Sequence, residues 1–128
     1  MSDARTSRPH RRQKDRLGRH GEDLAVQHLV HEGVLLIARN WRCPEGELDI
    51  IGAEGDALVI CEVKTRTSTR FGTPLEAVTE AKVQRMQRLA HVWCREHRVH
   101  PPRIRYDVVE VLAPRDTEPV ITYHRGVI

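Results

Sequence analysis

One stretch of the sequence, GELDIIGAEGDALVICEVKTR, places charged side chains inside the pattern of two β-strands joined by a turn. Asp49 lies in the first strand segment, and Glu62 and Lys64 lie near the end of the second. Strand interiors that read as buried usually avoid charge. Two close carboxylates repel each other unless a cation joins them, and Mg²⁺ prefers carboxylate oxygens and often bridges to a substrate phosphate. These residue types therefore indicate a divalent-cation site that could act on a phosphate.

The spacing of these residues decides which of them can meet. Glu62 and Lys64 are two apart in a strand, so they project from the same face. The face of Asp49 depends on the turn, because directly opposed residues of an antiparallel pair share a face. A turn with an even number of residues, either Glu54-Gly55 or residues 54–57, puts Asp49 on the face of Glu62. A three-residue turn puts it on the other face unless a bulge intervenes.

A simpler interpretation is that Lys64 neutralises Glu62 in a surface ion pair, which is common and contributes little stability. A third acid favours the metal interpretation. Glu22 lies about 20° from Leu29 on a helical wheel of about 100° per residue, so it borders the apolar side of the first helix. If that helix packs on the sheet, the Glu22 carboxylate can reach the same cleft.

The rest of the chain alternates between helical and strand patterns. Hydrophobic spacing predicts a helix, three strands, a helix and two strands, and therefore an α/β fold with a central mixed sheet of four to five strands flanked by helices. Thr73 and Pro74 have the residue types of a helix cap and first helical position. The predicted segments are residues 17–33, 34–41, a hairpin over 46–66 with residues 53–57 as its tip, 73–97, 103–112 and 120–124.

Lys82 has an unusual place on the second predicted helix. On the same helical wheel it is at the centre of an apolar face that includes Leu89 and Trp93, whereas Arg85 and Arg88 turn to the polar side. A lysine there is costly unless its ammonium finds a partner. We expect Lys82 to point to the carboxylate cluster and to hold it or contact the scissile phosphate. The alternative is a lysine whose stem packs while its ammonium reaches water.

The composition limits the class of protein. The 128 residues fit one domain with a modest core, which must be aliphatic because aromatic residues make up only 4%. No apolar run reaches the roughly 18 residues of a membrane span, and the basic N-terminus lacks the apolar stretch of a signal peptide. Cys43, Cys61 and Cys94 form no C-x-x-C pair. We therefore expect a cytoplasmic protein without membrane contact.

The net charge of +3 is concentrated at the N-terminus. Six basic and two acidic residues lie within the first 16, a net charge of +4, so the remaining chain carries −1. The segment has no hydrophobic periodicity, which predicts a disordered basic arm over residues 1–15 and a single domain over residues 16–128. Arg11, Arg12 and Lys14 could bind phosphate backbones non-specifically. The alternative is a solvated tail.

Four motifs in order resemble the uncharacterised bacterial YraN-like family over about residues 18–112: GRHGEDLA, GELDII, CEVKTR and FGTPLEAV with a following lysine. Asp49 with Glu62-Val63-Lys64 is also similar to the D-(x)n-(D/E)-x-K signature of the PD-(D/E)XK nuclease superfamily. The preceding helix with Glu22 looks most like the Holliday-junction resolvase branch. Leu48 stands where the full signature has proline, as is common in that branch.

The resemblance implies a restriction-endonuclease-like fold and a metal-dependent nuclease. Asp49, Glu62 and the backbone carbonyl of Val63 would hold Mg²⁺ or Mn²⁺, with Glu22 as an auxiliary ligand. Lys64 would position the attacking water or stabilise charge on the phosphate. The predicted catalytic residues are Asp49, Glu62, Lys64, Glu22 and Lys82, and Val63 is predicted as a metal ligand only.

Three further features allow more than one interpretation. Arg66 continues the face of Lys64 and either contacts a phosphate oxygen or is a solvated strand end. Asp107, in the middle of a strand, either approaches the cleft or, as we expect, makes a structural pair. The histidines at positions 28, 31, 97 and 100 invite a zinc interpretation, but none forms H-E-x-x-H and no cysteine has ligand spacing.

The sequence therefore supports a metal-dependent nuclease acting on branched, nicked or damaged DNA, with DNA favoured over RNA. The first alternative is a nucleic-acid-binding module on a nuclease scaffold that does not cut. The second is a small scaffold protein whose charges are surface pairs. Because the body is nearly neutral, the arm, a dimer or a partner must supply affinity for nucleic acid. A homodimer is expected by analogy with the resolvases.

Overall fold

A computed structural model of the chain describes residues 9–68 and 79–127. The elements in that part confirm the predicted α/β order. They are α1 (Pro9–His31), β1 (Leu35–Cys43), β2 (Gly46–Glu54), β3 (Ala57–Arg66), α2 (Glu80–His97), β4 (Arg103–Leu112) and β5 (Val120–His124). The five strands form one mixed sheet in sequence order, in which only the β3–β4 pair is parallel.

The first helix begins at Pro9 rather than at Leu17, so the backbone of residues 9–15 is helical where the sequence predicted a disordered arm. Proline suits the first helical position, and the arginine, lysine and glutamine residues that follow are good helix formers without any apolar periodicity. Residues 1–8 of the predicted arm lie outside the described residues.

The predicted start of the second helix at Thr73 and Pro74 also lies outside the described residues. In the described part, α2 begins at Glu80 with Thr79 as its N-cap. The Thr79 hydroxyl accepts the backbone N–H of Lys82 at 3.2 Å, which satisfies one of the free donors of the first turn. Lys82 is therefore in the first turn of the described helix.

The core lies on both faces of the sheet. One face packs against α1 and the other against α2, as an α/β layer arrangement requires. The α1 side is aliphatic, with Ala25, Leu29, Val59 and Val109 among its buried residues. The α2 side adds two aromatic residues, Trp93 and Tyr106, to residues such as Ile60 and Leu89.

The sheet splits between its second and third strands. Pairing of β2 with β3 ends at Ile50 and Cys61. Beyond that point β3 continues beside β4 to Arg66, and β2 continues beside β1 back to Gly46. The two strands therefore diverge after Cys61, and we call this opening the fork.

The turn that precedes the fork sets the face of the acids. Gly55 and Asp56 form a two-residue turn, with Gly55 in the left-handed region at φ +61°. The turn has an even number of residues, although not the residues predicted. One step beyond the last pair, the register brings Asp49 opposite Glu62. The expectation for an even turn is confirmed, and both carboxylates lie at the fork.

No helix in the described part of the chain is long and apolar enough to cross a membrane. All three cysteines are free thiols.

Candidate functional site

Asp49 occupies the fork itself. Its Oδ2 accepts the backbone N–H of Val63 at 2.9 Å. Because β2 and β3 have diverged, the carboxylate takes the place of a backbone partner for this N–H. In an antiparallel strand the N–H and C=O of one residue point to the same side. The Val63 carbonyl, predicted as a metal ligand, therefore also faces the β2 side of its strand.

The surroundings of Asp49 disfavour its negative charge. The pKa of Asp49 is raised from 3.8 to about 7, chiefly by burial and also by the negative charges of Glu62, Glu22 and Glu47. The hydrogen bond from Val63 only partly opposes this rise. A carboxylate in such a place either keeps its proton or is stabilised by a cation. The burial of Asp49 beside other negative charges is the main reason to expect a cation at the fork.

Glu62 makes ion pairs with both predicted lysines. Its Oε2 lies 3.2 Å from Nζ of Lys64 and also contacts Nζ of Lys82. The Glu62, Lys64 and Lys82 side chains are 14%, 27% and 20% exposed, so this is a half-buried triad and not an isolated surface pair. The expected placement of Lys82 against the carboxylate cluster is confirmed, and the alternative of an ammonium in open water is wrong.

The two lysines differ in their readiness to lose a proton. Burial lowers the pKa of Lys64, and the neighbouring Lys82 lowers it further against the opposing charge of Glu62. Burial acts most strongly to lower the pKa of Lys82, but its contacts with Glu62 and Lys64 and the charge of Glu62 together outweigh this, and the pKa is raised. Lys82 therefore holds its proton more tightly than Lys64 does.

Glu22 reaches the fork from α1, as predicted. Its side chain is 17% exposed, and its Oε1 is buried without a hydrogen-bond partner. The nearest cation is Nη2 of Arg39 at 3.5 Å, which makes its closer contact with Asp23 at 2.8 Å. The charge of Glu22 acts on Asp49. Glu22 therefore places at the fork a carboxylate oxygen that can accept a hydrogen bond or bind a cation.

A glycine allows α1 to come this close to β3. A Cβ atom at Gly21 would lie 2.0 Å from Oγ1 of Thr65 and 2.9 Å from its Cβ. No rotation of the Thr65 side chain moves its Cβ, so any larger residue at position 21 forces the helix away from the strand. Gly21 therefore sets the depth at which the neighbouring Glu22 is held.

We expect Gly21→Ala to lower the free energy of unfolding by about 1–3 kcal/mol, the usual cost of overpacking. Gly18→Ala on the same helix is the matched control, because an added Cβ there meets nothing within 4 Å. The control should gain up to about 1 kcal/mol from helix propensity. Urea denaturation measures both values, and equal shifts for the two variants would contradict the close approach.

The fork opens on both faces of the sheet. Asp49, Val63 and Lys64 line two clefts at once. The α1-side cleft has a volume of about 710 Å³, and its other lining residues include Leu17, Gly18, Glu22, Arg66, Thr67 and Ser68. The α2-side cleft has a volume of about 410 Å³, and its other lining residues are Gly46, Glu47, Glu62, Lys82 and Arg85.

The acids at the fork fit a hard divalent cation only in part. Across residues 9–68 and 79–127, no three His, Cys, Asp or Glu side chains lie close enough together to hold a metal ion. The predicted set of Asp49, Glu62 and Glu22 is therefore not assembled as a three-acid cage, because Glu62 is drawn to the two lysines. Mg²⁺ usually needs only one or two carboxylates and keeps several waters. Two acids and the Val63 carbonyl meet that requirement.

The remaining predicted site residues lie in other places. Arg66 was expected to share the face of Lys64; it lines the α1-side cleft and is half-buried at the strand end. The side chains of Arg11, Arg12 and Lys14 lie outside the described part of the structure, so their nucleic-acid role stays a prediction.

Asp107 makes the structural pair that we expected. It is completely buried and accepts hydrogen bonds from Arg105 at 2.9 Å, from the Tyr123 hydroxyl and from the backbone of Gly126 at 2.9 Å. Its carboxylate holds the C-terminal segment to β4. It does not line either cleft at the fork.

Sequence reasoning missed one residue at the fork. Arg85 was assigned to the polar side of its helix, yet it lines the α2-side cleft beside Lys82. The helical wheel could have identified Arg85, because it lies only about 60° from Lys82.

The family model and the similar proteins all point to the same family. A family model described as "Uncharacterised protein family UPF0102" matches residues 21–111. A "UPF0102 protein" of Paenarthrobacter aurescens is 50% identical over 116 residues, which cover 91% of this chain and 96% of that protein. The "UPF0102 protein" of Streptomyces griseus is 51% identical over 112 residues, covering 87% and 94% respectively. These names state a family and no activity.

Proposed function

The chain belongs to the uncharacterised protein family UPF0102, as its YraN-like motifs predicted, and we propose that it is a metal-dependent nuclease that hydrolyses phosphodiester bonds in DNA. One observation carries the proposal: Asp49, Glu62 and Lys64 converge at the fork, with the Val63 backbone between them. Two acids and a lysine at an open cleft are the groups that metal-assisted phosphodiester hydrolysis needs.

Each residue has a role in this proposal. Asp49, Glu62 and the Val63 carbonyl would hold Mg²⁺ or Mn²⁺, with Glu22 as an auxiliary ligand. When bound, the cation would polarise a phosphoryl oxygen and make a water molecule more acidic. Lys64 would position the attacking water or stabilise the charge that develops on the phosphate.

Lys82 holds the Glu62 side chain in place. Its ammonium contacts the same Oε2 atom as Lys64 does, and its pKa is raised by that contact. Lys82 is therefore a positioning residue, which leaves Lys64 the more available for the phosphate.

The same proposal extends to the superfamily, the substrate, the assembly and the cellular location of the protein. The Asp49 and Glu62-Val63-Lys64 pattern supports the PD-(D/E)XK nuclease superfamily, closest to the Holliday-junction resolvase branch. That branch favours branched or damaged DNA as the substrate and a homodimer as the assembly, both by analogy. We also propose a cytoplasmic location, where free thiols such as Cys61 persist.

A second candidate is a nucleic-acid-binding module that does not cut. The triad favours it, because Glu62 is already neutralised by Lys64 and Lys82 and the described residues contain no three-ligand group. In that case the basic side chains would hold a phosphate backbone without hydrolysis.

Metal binding separates the two candidates. Calorimetric titration with Mn²⁺ should show binding to the wild type that is at least about tenfold weaker in Asp49→Asn and in Glu62→Gln, since hard cations depend on charged oxygen ligands. Glu47→Gln is the matched control, because Glu47 lines the same cleft but its side chain faces Arg42 at 3.6 Å. Unchanged Mn²⁺ binding in both test variants would rule out the metal site.

A further inference from the structure

The α2-side cleft has walls of opposite charge. Asp49 and Glu62 stand on the strands, and Lys82 and Arg85 face them from α2, one helical turn apart. We infer that the nucleic-acid backbone enters the fork through this cleft, with Arg85 binding the phosphate next to the scissile one. This inference rests on the proposed function, and it assigns a side of entry and a residue that the sequence motifs do not include.

Arg85 has the properties of a free phosphate ligand. Its side chain is exposed at the cleft, and no carboxylate among the described side chains of residues 17–68 and 79–127 forms an ion pair with it. Its charge is close enough to act against that of Lys82. Like charges one turn apart on a helix destabilise each other. A phosphate between the α2 cations and the fork relieves that repulsion, and arginine is well suited to bind it.

Electrostatics favours the smaller cleft over the larger one. The α1-side cleft contains Arg66, the apolar Leu17 and the carboxylate of Glu22, whose nearest cation is Arg39 at 3.5 Å. On the α2 side, Glu62 is paired with two lysines and Glu47 with Arg42. Arg85 adds a positive charge there that no described carboxylate pairs with, so the α2-side cleft offers a phosphate anion a cation that is not already paired.

The test compares two arginines of the same helix. Arg85→Ala and Arg88→Ala each remove one positive charge from an exposed position of α2, but only Arg85 lines the cleft. Fluorescence anisotropy with a labelled DNA duplex in EDTA measures affinity over a range of salt concentrations. Arg85→Ala should reduce the slope of log affinity against log salt by about one, and Arg88→Ala should leave it unchanged. Equal slopes for the two variants would overturn the inference.

A second pair of variants tests the side of entry. An added Cβ at Gly18 meets nothing within 4 Å, so Gly18→Glu places a negative charge in the α1-side cleft without a steric clash. Arg85→Glu places a negative charge in the α2-side cleft and also removes the positive charge of Arg85. We expect Arg85→Glu to weaken DNA binding by at least about tenfold and Gly18→Glu to change it less than about twofold. The reverse order would place the backbone on the α1 side and refute the inference.

The binding measurements do not depend on cleavage. If the wild type cuts no DNA but Arg85→Ala still loses one phosphate contact, the nuclease proposal fails and the phosphate site stands. If the wild type cuts DNA but the Arg85 and Arg88 variants bind alike, the nuclease proposal stands and the phosphate site fails.

Discussion

Asp49→Asn should make the metal-free protein more stable at pH 8, by up to about 4 kcal/mol, while removing a proposed metal ligand. The pKa of Asp49 is raised from 3.8 in the unfolded chain to about 7 in the folded protein, chiefly by burial. The folded state therefore binds this proton more tightly, so its stabilising effect is present at low pH and is lost as the pH rises from about 4 to 7. A pKa difference of about three corresponds to about 4 kcal/mol of folding free energy. This value is an upper limit, because the charges of neighbouring acids contribute to the raised pKa of Asp49.

The replacement removes the cost of ionisation but keeps the hydrogen bond. An asparagine at position 49 has a side-chain oxygen that can still accept the N–H of Val63, and it never carries a charge. Urea denaturation in EDTA at pH 5 and pH 8 measures the effect. The wild type should lose stability between the two values, and the variant should lose much less.

Asp56→Asn is the control for this prediction, because Asp56 lies on the turn of the same hairpin with its side chain 59% exposed. It should change the stability by less than about 1 kcal/mol at either pH. If Asp49→Asn and Asp56→Asn have the same pH dependence, the fork does not destabilise the charge of Asp49.

Strand and helix periodicity was enough to place most of the site. Glu62 and Lys64 share a face because strand side chains alternate, and a two-residue turn brought Asp49 opposite Glu62. The angle of Lys82 on a helical wheel predicted its contact with Glu62, since a lysine at the centre of an apolar stripe needs a buried partner. These are local rules, and they hold wherever an element packs by one face.

The fork itself could not be predicted in this way. Where β2 leaves β3 depends on how each strand pairs with its other neighbour, and no local pattern states that Ile50 and Cys61 are the last pair. The hydrogen bond from Val63 to Asp49 exists only because of this divergence. Arg85 was missed for a related reason: its wheel angle gives its side of the helix but not the cleft that β2 and β3 open beside it.

The extent of α1 was missed because the reasoning relied on apolar periodicity. Residues 9–15 have none, yet proline at the first position and a run of good helix formers favour a helix locally. The network around Asp107 shows a second limit of sequence reasoning, which concerns contacts between residues that are distant in the sequence. The sequence identified a buried acid, but its partners Tyr123 and Gly126 lie 16 and 19 residues away and are brought to it by β5.

The second large effect concerns catalysis. Glu62→Gln removes a proposed metal ligand and also the shared counter-charge of Lys64 and Lys82, whose side chains are half-buried. The remaining lysines would repel each other and leave the positions from which they act. We expect cleavage to fall by at least about 100-fold, which corresponds to about 2.7 kcal/mol of transition-state stabilisation.

The most direct measurement is cleavage of linear, flapped and four-way DNA in the presence of Mg²⁺ or Mn²⁺, comparing the wild type with Glu62→Gln and with Asp56→Asn as the control. The account predicts that the wild type and Asp56→Asn cut, that branched DNA is cut faster than linear DNA, and that EDTA or Glu62→Gln stops the reaction. A wild type that cuts none of these substrates with either metal, or a Glu62→Gln variant that cuts as fast as the wild type, would contradict the proposed function.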